Sequence, residues 1–322
     1  MRRRTHALAP LAAAALAASP AAAVDAVRVA YFLEWPTPNL AAKADGAYDA
    51  ALGTGVTWIA FDTGTQMTEA MRAGEVDIAY SQGLAPFVAA VDEGVPLTLV
   101  GVAVEYPPND CVIREGSGLD PSEPGSFAGR TAALPVATMA DYSFRAMTRA
   151  LGIDAGSMTV LDRIPSEAAT ALLSAEADLA CGFGALAMER MRSAGPLLMD
   201  GAAKRDAGIA AFDVVSARTD FARREPEAVE AFLDVTAAAN ATWTGSPEQL
   251  EKVGLESGLN RSLLLGRLAD FEFPTPDAQR ALMLGPRAPV PTAMGVIGEA
   301  FAGDGAPARE DYSDVLDPGY LP

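Results

Sequence analysis

The sequence predicts an α/β protein of two lobes, each built on a mostly parallel sheet. Three observations carry that prediction. First, strand and helix patterns alternate along most of the chain, the order that makes parallel βαβ units. Second, one segment is said twice: residues 72–83 read R-A-G-E-V-D-I-A-Y-S-Q-G and residues 173–184 read L-S-A-E-A-D-L-A-C-G-F-G. Glu75 matches Glu176, Asp77 matches Asp178, Ala79 matches Ala180 and Gly83 matches Gly184 at one constant offset. Each copy leads from an apolar helical stretch through a short acidic turn into a strand. In open parallel sheets ligands sit at the ends of such strands, so two copies suggest two lobes facing one cleft. Third, a Pro-rich crossing at 106–110 and a return near 212 place the second lobe as an insertion in the first. The expected division is 24–106 and 213–322 for the first lobe and 107–212 for the second. Two hinge strands suit a clamp that closes on a ligand.

The elements follow in order from periodicity and turn chemistry. Residues 1–23 are read as a secretory signal peptide: Arg2, Arg3 and Arg4, an apolar run over 7–18, and a small-residue end at Ala21, Ala22 and Ala23. The apolar run is short for a bilayer span, and cleavage is expected after Ala23. The first strand is 27–32, and a helix is expected over 40–52. A second strand at 56–61 precedes the turn 62–65 and a helix over 65–73, with Thr65 as its N-cap. A third strand at 76–80, a helix at 84–93 and a strand at 97–104 complete the first array. In the second lobe, strands are expected at 111–114, 131–134, 159–161 and 179–182, with helices at 138–151, 166–174 and 187–192. The return strand is read at 210–216. From Thr219 the chain reads as mainly helical, with helices near 226–243, 247–256 and within 258–273. The tail after Tyr312 is expected to lie on the surface.

Composition narrows the function. Half of the residues are apolar, enough for substantial cores. The chain carries 24 basic and 42 acidic residues, a net of −18. Without Arg2, Arg3 and Arg4, 21 basic residues face 42 acidic ones, a net of −21. Such a chain repels nucleic acid and anionic lipid. The single histidine, His6, lies in the expected signal peptide, so the mature chain has none. That removes most histidine-based enzymes and leaves no zinc set, since Cys111 and Cys181 are the only cysteines. Export favours a Cys111–Cys181 disulfide, the alternative being two buried thiols. No Walker loop, nucleophile elbow or GxGxxG occurs, and no cofactor is expected.

The segments V-A-Y-F-L-E-W-P-T-P-N, A-D-G-A-Y-D, F-D-T-G-T, A-G-E-V-D-I-A-Y-S-Q-G and D-L-A-C-G-F-G resemble the periplasmic taurine-binding proteins of ABC importers. These belong to a wider group for sulfonates, nitrate and thiamine-precursor pyrimidines. The resemblance runs from about Val27 to Trp243 and is strongest in the first lobe. It implies a two-lobe type II periplasmic binding protein fold, a monomer in the periplasm, and a permease and ATPase at the inner membrane as partners. It implies taurine or a similar small sulfonate as ligand, with an alkanesulfonate, nitrate or a pyrimidine precursor as alternatives. An enzyme on the same fold is the rival class, but in the resembling group that chemistry depends on histidine and metal. Two departures bear on the ligand. Asp141 stands in V-A-T-M-A-D-Y where many members have histidine, and Phe183-Gly184-Ala185 stands where some have tryptophan followed by an acid.

Candidate ligand residues come from strand ends. Glu34 and Trp35 follow the first strand; an indole beside a carboxylate can hold an ammonium group. Thr63, Thr65, Ser81 and Gln82 offer neutral donors for a sulfonate, helped by helix N-termini. Thr138 with Asp141 reads as a capping box, Asp141 reaching back to the Thr138 N–H, while Thr138 and Tyr142 could also face the ligand. Asn109 and Asp110 sit at the crossing and are turn formers first. Phe183 would pack on the ligand's methylenes, and Asp213 on the return crossing is a second possible amine partner.

Overall fold

The computed structural model describes residues 26–285, 287–302 and 309–322. The expected signal peptide, 1–23, lies outside the described residues. The described chain is α/β, with two sheets.

The first sheet is built from β1 (Ala26–Phe32), β2 (Gly55–Phe61), β3 (Ile78–Gly83), β4 (Leu97–Glu105) and β9 (Phe212–Arg218), in the order β2-β1-β3-β9-β4. β1 pairs parallel with β2 and β3, whereas β9 runs antiparallel between β3 and β4. The second sheet holds β5 (Asp110–Ile113), β6 (Thr131–Leu134), β7 (Thr159–Asp162) and β8 (Leu179–Gly182), in the order β5-β8-β6-β7. There β6 is parallel to β7 and β8, and β5 is antiparallel to β8. The two sheets thus repeat one plan. An echoed strand, β3 or β8, lies between a parallel neighbour and an antiparallel hinge strand.

The echo has a physical cause. Asp77 and Asp178 each lock the start of their strand to the neighbouring one. The Asp77 N–H donates to the Arg28 carbonyl at 2.9 Å, and its carboxylate accepts from the Arg28 N–H at 3.0 Å. The Asp178 N–H donates to the Thr131 carbonyl at 2.8 Å, and its carboxylate accepts from the Thr131 N–H at 3.2 Å. Each carboxylate also pairs with an arginine: Arg28 at 2.6 Å and Arg114 at 2.8 Å. Charge-assisted bonds to main-chain N–H groups are strong, so this acid is a register pin in both lobes.

Helices α1 (Asn39–Ala44), α2 (Ala47–Leu52), α3 (Gly64–Arg72) and α4 (Leu84–Asp92) serve the first sheet. Helices α5 (Met139–Ala150), α6 (Pro165–Leu173), α7 (Ala185–Arg192) and α8 (Gly201–Asp206) follow in the second. After β9 come α9 (Thr219–Arg224), α10 (Pro226–Ala241), α11 (Pro247–Ser257), α12 (Arg261–Leu268), α13 (Pro276–Met283) and α14 (Pro289–Phe301). None of the described helices is long and apolar enough to cross a membrane.

Several sequence expectations need correction. The helix expected over 40–52 is two helices, because Gly46 takes a left-handed φ of 65° between them. The N-cap of α3 is Thr63, not Thr65: the Thr63 hydroxyl accepts from the Gln66 N–H at 3.2 Å. At α5 there is no capping box. Thr138 accepts from the Ala140 N–H, while the Asp141 carboxylate accepts from the Ala137 N–H, one residue short of the expected partner. β3 runs on to Gly83, so Ser81 and Gln82 lie within the strand, where Ser81 has φ 58° at a register shift. The extra residue of such a bulge bends the strand and re-aims its side chain.

The tail is partly buried, against expectation. Tyr312 and Leu321 are buried, and Leu316 bridges Leu99 of β4. The Tyr312 hydroxyl donates to Asp92 at 3.0 Å, and Arg280 donates to the Leu321 carbonyl at 2.7 Å. A Pro- and Gly-bearing segment has no helical or strand period to reveal such docking.

Cys111 and Cys181 form a disulfide between directly opposed residues of β5 and β8, with Cα atoms 4.0 Å apart.

Candidate functional site

A chamber lies between the two sheets. Phe32, Trp35, Pro86, Tyr106, Met139 and Phe183 give it aromatic and apolar walls. Gly64, Gly83, Thr138 and Asp213 complete it. It encloses about 300 Å³ outside the atoms, its mouth included, at the small end of the range for small-molecule sites. None of these ten residues is a lysine or arginine.

Two features give the chamber polarity. Helices α3, α4 and α5 all begin at its wall, through Gly64, Gly83 with the following Leu84, and Thr138 with Met139. Helix starts carry partial positive charge and unpaired N–H groups. The glycines permit the close approach. A Cβ at Gly64 would stand 2.5 Å from the Pro86 Cγ, and one at Gly83 would stand 2.8 Å from the Met139 Cγ. The second is Asp213, buried in β9 directly across from Gly83. Its carboxylate accepts from the Ser81 hydroxyl at 2.9 Å, and that hydroxyl accepts from the Trp35 indole N–H at 3.0 Å. Burial pushes the Asp213 carboxyl up to about 7, against the opposing pull of Ser81, Tyr106, Trp35 and Arg267. No described residue forms an ion pair with it.

Asp110 shows what Asp213 lacks. It opens the other hinge strand, β5, also opposite a glycine of the echoed strand, Gly182. Lys204 and Arg192 each pair with it at 2.6 Å. Burial alone would raise its carboxyl, but hydrogen bonds and charge from Lys204 and then Arg192 hold it below the usual range. Lys204 is itself buried and also donates to the Pro108 carbonyl at 2.7 Å. One hinge aspartate is neutralised from within; the other faces a chamber.

The candidate residues separate accordingly. Trp35, Thr138, Phe183 and Asp213 come together at the chamber, with Ser81 behind Asp213. Trp35 is held edge-on by Tyr106 at 5.2 Å and covered by the Arg267 guanidinium at 4.8 Å. Gln82 is buried and bonded to Ser216 at 2.7 Å. Thr63 and Thr65 share a 3.0 Å hydroxyl contact flanking Gly64. Asp141 pairs with Arg145 at 2.7 Å, and Tyr142 is buried off the chamber. Asn109 lines a separate recess on the hinge side with Tyr106 and Arg267. Glu34 lies at the cleft mouth, where its carboxylate accepts from the Leu186 N–H at 3.0 Å. Phe32, Gly64, Gly83, Pro86, Tyr106 and Met139 are chamber residues absent from the sequence candidates. Gly64 lies between two candidate threonines, Gly83 in the repeated segment and Met139 beside Thr138, so these three carried a local signal.

Residues 37–250 match the family described as NMT1/THI5 like. The chain belongs to the NMT1/THI5-like family. Within reach of this family, it is similar to the taurine-binding periplasmic protein of Escherichia coli K12, with 28% identity over 283 residues and 86% of each chain covered. Its fold is that of the alkanesulfonate-binding protein SsuA from Xanthomonas axonopodis pv. citri, solved bound to MOPS. The TM-score is 0.72 at 18% identity, covering 92% of this chain and 99% of that one. The periplasmic aliphatic sulphonate binding protein SsuA of E. coli gives 0.63 at 17% identity, over 84% and 90%. These neighbours make the two-sheet α/β architecture a periplasmic binding protein fold. The matched span 37–250 contains every chamber residue except Phe32 and Trp35.

Proposed function

We propose that this NMT1/THI5-like protein is the substrate-binding component of an ABC importer, capturing taurine or a similar small amino-sulfonate in the periplasm. It then delivers the ligand, as a monomer, to a membrane permease driven by an ATPase. The observation that carries the reading is the chamber's polarity: three helix starts and one buried carboxylate without an ion-pair partner share its wall. A zwitterion matches it. The sulfonate takes main-chain N–H groups at the helix starts, where no cation is needed. The ammonium meets Asp213, and the aromatic walls hold the short methylene body. The lobes 24–106 with 213–322, and 107–212, would close over it. The similarity to sulfonate- and taurine-binding proteins supports the same ligand class. Nothing in this chemistry calls for turnover.

Thermal unfolding tests the reading. Ligand-stripped protein should gain about 2.7 kcal/mol with taurine at a hundred times its Kd. No gain with taurine or any small sulfonate would overturn it.

The pH profile follows from Asp213. An ammonium pairs only with the ionised carboxylate, so below about pH 7 binding must expel a proton. Affinity for an amino-sulfonate is expected to fall by up to about tenfold per pH unit below 7 and to level off above it. A sulfonate lacking the amine should show the opposite slope, since the ionised acid repels it. Calorimetry from pH 5 to 8 distinguishes the two; a flat profile for taurine would remove Asp213 from the amine site.

A further inference from the structure

We propose that Glu34 is a latch across the cleft: a carboxylate of the first lobe that caps helix α7 of the second and holds the clamp closed. Glu34 follows β1 in one sheet, and α7 follows β8 in the other. The N-cap of α7 is Gly184, which has no side chain to offer the helix's first N–H groups. Leu186 stands at the second helical position, the usual target of an N-cap oxygen. Glu34 Oε2 accepts from its N–H at 3.0 Å. A residue from the opposite lobe thus supplies the cap, and its charge suits the positive end of the helix.

Both ends of this contact are shaped for it. Glu34 has φ 57°, a left-handed conformation uncommon outside glycine. Its N–H is anchored on the Ser257 carbonyl at 2.8 Å, at the end of α11. A strained residue persists where its surroundings hold it. Gly184 has φ 82°, and a Cβ there would stand 3.1 Å from the Glu34 carboxylate, so glycine admits the approaching oxygen. The contact lies at the mouth beside Phe32 and Phe183, which also wall the chamber. Separating the lobes must break it.

The latch rests on the proposed ligand cleft, so its test has one arm with ligand and one without. In stopped-flow binding, Glu34→Ala is expected to raise koff about tenfold, with kon changed by less than about twofold. The rise should be equal for taurine and for an alkanesulfonate, with Glu34→Gln between wild type and Glu34→Ala. Without ligand, spin labels at the exposed sites Ala50 and Leu173 should report longer inter-lobe distances in Glu34→Ala than in wild type. A loss confined to the amine-bearing ligand would make Glu34 a ligand contact and overturn the latch. So would unchanged koff or unchanged distances. If no sulfonate binds the wild-type protein, the proposed function falls, and the ligand-free distances alone decide for or against the latch.

Discussion

Asp213→Asn is expected to weaken taurine binding by roughly thirtyfold to more than a thousandfold, the 2–5 kcal/mol typical of removing one partner of a buried charge pair. An alkanesulfonate without the amine should bind the variant as well as wild type, or better. The same substitution should stabilise the ligand-free protein above pH 7. The sign follows from the folded-state value of about 7, above the ordinary carboxylate range. An acid whose value is raised on folding costs stability once it ionises, so the penalty grows from about pH 4 and is complete above about pH 7. The shift of about three pH units corresponds to about 4 kcal/mol as an upper figure. Asparagine keeps the shape and can still accept from Ser81, but carries no charge to desolvate. Isothermal calorimetry and urea unfolding at pH 8 read the two effects. Equal losses for both ligands would show that Asp213 holds the chamber's shape rather than the ammonium.

Loss of the Cys111–Cys181 bond is the second large effect. The bond closes a loop of 70 residues. Cross-linking such a loop restricts the unfolded chain by roughly 4 kcal/mol on the chain-entropy argument. Cys111→Ala with Cys181→Ala should therefore lower the melting temperature by roughly 10 °C. Neither cysteine lines the chamber, so taurine affinity at 25 °C should change little. Denatured, unreduced wild-type protein should show no titratable thiol. Two thiols, or a double variant as stable as wild type, would contradict the role given to the bond.

The two aspartates of the hinge strands show where reading the sequence stops. Asp110 and Asp213 were both visible as acids at crossings, and nothing nearby in sequence separates them. Lys204, 94 residues from Asp110, neutralises it. No described residue does this for Asp213, which burial therefore raises. Glu34 was legible as a carboxylate at a strand end. Its bond to Leu186, 152 residues away, was not.

What the sequence determined by itself is the α/β plan, the repeated helix–turn–strand unit and the order of nearly every element in both lobes. These are local properties. Period-two and helical burial patterns and glycines at left-handed turns all act over a few residues. The tertiary structure alone decided which acid is left unpaired, which helix starts converge, and how the tail docks. Desolvation and ion pairing depend on everything within a few ångströms, and most of those neighbours are far away along the chain. A carboxylate has the same letter whether a lysine meets it or a chamber does.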